Sequence, residues 1–266
     1  MRYALTLLLL TTLVAGQEPP ASSPPSESIP VDQANEQKAR AVLDQTIQAL
    51  GGQAFLNVQD FSQEGRRYSF HRGQPNSLGT LFWRFTKYPD KDRIELSKKR
   101  DVIEVINGDK GYEVTYKGVR DWQNKDELDP YLRRRKFSLD VVLREWLKDP
   151  KVALFYEGQT VAAQKETDQV TLMNSKNEAV TFYLDINTHL PVKKSYSWRD
   201  PTDKQRNTEE EIFDNYRSVQ NIMTPFDVTR FYNGDMSAQS FMTTASYNQG
   251  LNDSLFDPQQ AAAKKH

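Results

Sequence analysis

Turn-forming segments lie between runs whose side chains alternate in character. They are RGQPNS at residues 72–77, YPDKD at 88–92 and NGDKG at 107–111. Separators this short constrain the fold more than any other feature. A parallel pair of strands needs a crossover of a dozen residues or more, so these neighbours must pair antiparallel. Period-two alternation predicts strands over Val58–Phe70, Ser77–Tyr88, Arg93–Ser97, Val102–Asn107 and Gly111–Lys117. A second series follows over Ala153–Tyr156, Gln159–Lys165, Gln169–Asn174, Ala179–Asp185, Leu190–Trp198, Glu209–Arg217, Met223–Tyr232 and Ser237–Tyr247. In GYEVTYKG, Tyr112, Val114 and Tyr116 face one way and Glu113, Thr115 and Lys117 the other, the pattern of a sheet with one wet face. GTLFWRFTKY differs. Leu78, Phe82 and Tyr88 share one face with Thr80, Arg84 and Thr86, and Leu81, Trp83 and Phe85 share the other, so this strand is expected to be covered on both sides.

Two segments keep a helical period. In Asp32–Leu50, Asp32 can cap the helix, Ala39, Leu43, Thr46, Ile47 and Leu50 form one stripe, and Gly51-Gly52 supplies the stop. In Ser138–Lys148, Ser138 is the N-cap, and Leu139, Val142, Leu143, Trp146 and Leu147 form a wide stripe before Asp149-Pro150. Two helices against on the order of ten to thirteen strands exclude a doubly wound α/β fold, which alternates the two. The expected class is mainly β, of the α+β kind.

The N-terminus carries Arg2, an apolar run from Ala4 to Val14 and small residues at Val14-Ala15-Gly16. This is the pattern of a secretory signal peptide over residues 1–16, cleaved after Gly16. A membrane span would need about 20 apolar residues. Residues 17–31 are rich in Pro and Ser and read as a flexible leader, residues 32–257 as the folded domain and residues 258–266 as a disordered tail. The chain has no Cys, hence no disulfide and no cysteine for lipid attachment. A location in the periplasm, or secretion, without that kind of anchor follows, and the periplasm is the expected one.

Charge excludes one partner class. With 35 Lys and Arg against 36 Asp and Glu, no positive excess is available for nucleic acid. His71, His189 and His266 fit no metal spacing, and DWQNKDELD lacks the glycine and spacing of a calcium loop. No nucleophile elbow, zincin, P-loop or dinucleotide motif occurs. No catalytic residue, metal or cofactor is therefore expected, and no enzyme activity.

The opening helix ARAVLDQTIQALGG, the hairpin NGDKGYEV, the hairpin YLDINTHLPVKKSYSW and the pair NYRSVQNIMTPFDVTRF resemble the periplasmic lipoprotein-carrier superfamily. That superfamily includes LolA-type carriers and LolB-type receptors. The resemblance implies a strongly curved, incomplete antiparallel barrel whose helices plug the mouth, with an apolar cavity for lipid or lipoprotein acyl chains. It further implies a carrier that delivers lipoproteins to an outer-membrane acceptor protein. The alternative of the same fold is an envelope sensor or interaction module without a carrier cycle, and a third reading is a module with a dry, packed core. Leu139, Leu143 and Trp146 on the lid helix become lipid-contact candidates, or else plain core. Phe82, Tyr112, Tyr116, Phe182 and Tyr196 become candidate wall aromatics, although alternation does not say which face is concave. Arg133, Arg134, Arg135 and Lys136 could meet anionic headgroups or an acidic partner, or form a solvated charged loop.

Overall fold

The structure is a computed structural model that describes residues 31–122 and 125–263. The expected signal peptide, and all of the expected leader but Val31, lie outside the described residues. Helix α1 (Val31–Leu50) and a short α2 (Gln53–Leu56) lead into strands β1 (Asp60–His71), β2 (Gln74–Pro75), β3 (Thr80–Lys87), β4 (Lys91–Leu96), β5 (Val102–Asn107), β6 (Lys110–Thr115) and β7 (Gly118–Asp121). Helices α3 (Lys125–Lys136) and α4 (Leu139–Arg144) and a 3-10 turn at Trp146–Lys148 follow. Strands β8 (Ala153–Ala162), β9 (Lys165–Met173), β10 (Ala179–Asp185), β11 (Pro191–Arg199), β12 (Arg206–Val219), β13 (Ile222–Tyr232) and β14 (Asp235–Tyr247) come next, and the described chain closes with a 3-10 turn at Asp253–Phe256 and α5 (Pro258–Ala263).

All the strands join one 14-stranded antiparallel sheet, in the order β7-β6-β5-β4-β3-β1-β14-β13-β12-β11-β10-β9-β8, with β2 paired to β1. The chain thus enters mid-sheet at β1 and meanders outward to β7. It crosses through α3 and α4 to the opposite edge at β8, then meanders back until β14 pairs β1. The two edges do not pair with each other, so the barrel is incomplete, as expected. Gly65 makes the β1–β14 seam possible: a Cβ there would lie 2.1 Å from the Phe241 carbonyl oxygen.

Helix α1 buries Ala39, Val42, Leu43, Thr46, Ile47 and Leu50, the expected stripe with Val42 added. This stripe packs with Leu154, Val170, Leu172, Val180, Phe182 and Leu184 of β8–β10 in the main core. The helices therefore fill one half of the concave face. The β10–β11 hairpin that helps build this wall is shaped locally. The Asp185 carboxylate accepts from the N–H groups of Asn187 and Thr188, both at 2.9 Å, and His189 takes the left-handed turn conformation at φ 58°.

Several boundaries differ from expectation. The strand read over Gly111–Lys117 ends at Thr115, because Tyr116 and Lys117 form the turn into β7. The two strands expected between Ala153 and Lys165 are one strand with a bulge at Glu157, where Gly158 adopts φ 99°. The helix expected over Ser138–Lys148 stops at Arg144 and continues as the 3-10 turn. Helix α3 was not expected at all. Its apolar pattern is weak, and Pro130 lies inside it.

Residues 258–263 are not a loose tail. Helix α5 lies against the outer face of the sheet, where Phe256 and Ala261 pack with Ile103, Val105 and Val114. Phe256 is 1% exposed. Phe256→Ala is therefore expected to lower unfolding free energy by about 3–5 kcal/mol, read as a fall in the urea midpoint at unchanged slope.

Candidate ligand-binding cavity

The other half of the concave face is not filled. A cavity of about 700 Å3 lies between the inward side chains of β1, β3–β6 and β12–β14 and the underside of α3 and α4. Alternation decides its lining. On β3 the inward set is Thr80, Phe82, Arg84 and Thr86, and on β1 it includes Phe61, Gln63, Arg67 and Ser69. The end beneath α1 and α2 is apolar, with Leu50, Phe55, Val58, Phe61 and Ile222. Phe82, Phe213, Val228 and Met242 continue this surface along the sheet, and Leu139 and Val141 close it from the helix side. Charged side chains line it as well: Arg67, Arg84, Glu104, Arg134, Glu211 and Arg230. The cavity is amphipathic rather than wholly apolar.

Most of these charges are matched. Asp92, 1% exposed, accepts from Arg84 Nε at 3.0 and 2.9 Å, from Thr86 at 3.0 Å and from the Tyr131 hydroxyl at 2.8 Å. Burial alone would lower the Arg84 pKa, but Asp92 outweighs it and holds the guanidinium above its ordinary value. Glu211 sits between Lys194 at 2.7 Å and Arg230 at 2.9 Å. Burial pushes its carboxyl up, yet the two cations prevail and hold it well below the usual carboxylate range. The neighbouring Glu209 accepts from the Tyr196 hydroxyl at 2.9 Å and pairs with Arg134 at 3.5 Å. Arg144 donates to the carbonyls of Leu56 and Val58 at 3.3 and 2.5 Å and lies over the Tyr88 ring at 4.2 Å. Arg67 differs: among the described residues it has no hydrogen-bond or ion-pair partner.

The structure separates the residues singled out from sequence. Phe82 and Leu139 line the cavity. Leu143, Trp146, Phe182 and Tyr196 belong to the packed core beside α1, where Phe137 stacks on Tyr196 at 4.3 Å and meets Trp146 at 5.6 Å. Tyr112 points to the outer face and packs with the Phe256 cluster. Tyr116 is 86% exposed in the β6–β7 turn. The last two were expected on a common apolar face; that face is the outer one, and the face that reads as wet, with Glu113, lines the cavity.

The cations of 133–136 form the last turn of α3 rather than a solvated loop. Arg133 lies over the Trp198 ring at 3.8 Å, and Arg135 donates to the carbonyls of Asp90 and Gly108 at 3.1 and 2.8 Å. Lys136 pairs with Glu178 at 2.5 Å, and Arg134 lines the cavity beside Glu209. Sequence reasoning missed Arg67, Arg84, Glu211 and Arg230, because an inward charged row alternates in the same way as a solvent-facing one. Among the described residues, no cluster of His, Asp and Glu is placed to hold a metal, and no helix is long and apolar enough to cross a membrane.

No protein-family model and no curated protein sequence matches the chain. Solved structures share its fold. A DUF1329 family protein from Desulfovibrio piger aligns with a TM-score of 0.59 at 13% identity, covering 82% of this chain and 97% of its own. An outer membrane lipoprotein-sorting protein domain from Vibrio parahaemolyticus gives 0.52 at 12% identity, with the same two coverages. A LolA superfamily protein from Nitrosomonas europaea gives 0.50 at 8% identity, again covering 82% and 97%. At these identities the likeness is one of fold, and the fold of this chain is LolA-like.

The buried charge network makes a stability prediction. Glu211→Gln leaves Lys194 and Arg230 without their counter-charge and is expected to cost about 3–5 kcal/mol at pH 7. The native Glu211 pKa lies below its unfolded value, so the unfolded chain binds the extra proton on acidification. The stabilisation is fully present above the ordinary glutamate value of 4.5 and is lost as pH falls below it. Denaturation of both forms should therefore show a gap at pH 7 that narrows steadily toward pH 3.

Proposed function

We propose that this chain binds lipid, holding acyl chains in the cavity beneath α3 and α4, and that it does so without catalysis, cofactor or metal. The cavity itself carries this reading. Its volume of about 700 Å3 falls within the roughly 300–1,000 Å3 of ligand pockets, and one end is apolar. A module with a dry core would have filled this space with its own side chains. About eight buried methylenes would contribute roughly 6 kcal/mol, before the cost of association. The LolA-like fold favours the same reading, since one similar structure is a lipoprotein-sorting domain.

The two helices of the lid are held differently. Helix α4 is anchored by Val142 and Leu143 in the core. Helix α3 is attached chiefly by polar contacts from Tyr131, Arg134, Arg135 and Lys136. Each of these contacts involves a charged group and is worth about 1.5–3 kcal/mol net, and water can take its place, whereas it cannot replace apolar burial. Helix α3 is therefore the moving part and α4 the hinge side. In the carrier form of the reading, the chain is exported, cleaved after Gly16 and loaded in the periplasm with lipoprotein acyl chains. It then releases them to an outer-membrane acceptor of higher affinity, because a binding protein shifts an equilibrium only by differential affinity.

Native mass spectrometry of the chain drawn from its host envelope without detergent is expected to show bound lipid. The delipidated chain should bind a fluorescent fatty acid saturably. Arg135→Gln, which frees α3 from the Asp90 and Gly108 carbonyls, is expected to speed probe release about tenfold. A lipid-free native chain that takes up no probe would overturn the reading.

A further inference from the structure

Arg67 stands apart from the other cations of the cavity. Arg84, Arg134 and Arg230 are each paired with a carboxylate, and Arg135 and Arg144 with backbone carbonyls. The Arg67 guanidinium has no hydrogen-bond or ion-pair partner among the described residues. Strand β1 projects it into the cavity between Thr80 of β3 and Ser240 of β14. Solvent reaches it, yet protein surrounds much of it. That partial desolvation, with repulsion from Arg230 and Arg134, lowers its pKa to about 10. Glu104 opposes these effects and Arg84 adds to them. Burial also raises the Glu104 pKa. Five N–H donors thus face an accessible cavity in a locally positive field.

Position along the strand adds a second argument. Arg67 and its β3 neighbour Thr80 are exposed, while Phe82, Val58 and Leu50 are buried. Arg67 therefore marks the mouth of the cavity. Phe61, six residues away on the same strand face, lies about 20 Å from it at the apolar end. A charged mouth and a deep apolar end match a molecule with one polar head and one chain.

We propose that Arg67, flanked by Arg134 and Arg230, recognises the head of a single-headed anionic amphiphile. Its carboxylate or phosphate would sit at the mouth and its chain would run past Phe82 and Met242 toward Phe61. This inference rests on the lipid-binding reading and names the class of lipid.

The test is displacement of Nile red from the purified chain by tetradecanoate, tetradecyl phosphate, tetradecanol and inorganic phosphate. Both anionic amphiphiles are expected to bind at least about tenfold more tightly than the alcohol. The tighter of the two identifies the head as a fatty acid or a phosphate ester. Arg67→Gln is expected to bring the anion-to-alcohol ratio close to one, whereas Arg66→Gln, on the opposite face of β1, preserves it. Inorganic phosphate alone is expected to displace nothing. Equal affinity for acid and alcohol in the native chain, an unchanged ratio in Arg67→Gln, or displacement by free phosphate would each overturn the proposal. Failure of every chain-bearing compound to bind would instead remove the lipid-binding reading, and this inference with it. Thermal melting supplies an independent check. Relief of repulsion should leave Arg67→Gln melting at or above the native chain, and a fall of several degrees would mark Arg67 as structural and overturn the proposal.

Discussion

The connection between β7 and β8 governs the rest of this structure. An antiparallel meander that starts in the middle of its sheet must cross once from one edge to the other. The crossing chain has to pass over the concave face, and it becomes α3 and α4. Both the lid and the space beneath it follow from that single topological demand. Helix α1 then fills one half of the concavity with an apolar stripe, leaving the half under β1, β3–β6 and β12–β14 open.

Charge inside the concavity is tolerable because nearly all of it is satisfied. Asp92 collects donors from β3 and α3, and Glu211 joins β11 to β13 through Lys194 and Arg230. Such networks are strong only when complete, since a lone buried charge costs several kcal/mol. The Asp92 network also ties α3 to the sheet, through the Tyr131 hydroxyl. Arg67, which has no hydrogen-bond or ion-pair partner among the described residues, stands at the exposed end of the β1 row. The same cavity thus offers greasy surface at depth and a cation at the rim, a combination that the carrier resemblance alone did not imply.

Legibility in the sequence varied with how local the cause was. The β5 and β10 spans match their alternating runs, and the YLDINTHLPVKK turn follows from Asp185 bonding to the amides just beyond it. The α1 stripe and the Ser138 cap, which accepts from the Val141 amide, are equally local. Helix α3 was illegible because it has no apolar stripe. Its stability comes from Arg135, Tyr131 and Lys136 reaching groups 27 to 45 residues away in sequence, and from cations at its C-terminal end. Helix α5 was illegible for a related reason: PQQAAA has little to bury until Phe256 and Ala261 meet Val105 and Val114. Of the cavity, Phe82 and Leu139 were found, while the arginine row was hidden among residues that looked solvated.

Sequence by itself determined the antiparallel meander, the amphipathic first helix, the capped start of α4 and a chain stable without disulfides. Each rests on periodicity, turn chemistry or composition, which act over a few residues. Only the tertiary structure decided which face of each strand became concave. Alternation is symmetric between the two faces, so Tyr112 and Glu113 could have exchanged roles until the C-terminal segment covered one side. Long-range pairing likewise decided which arginines found carboxylates, because Arg134 meets Glu209, and Arg67 meets none among the described residues, only when distant strands close around one space.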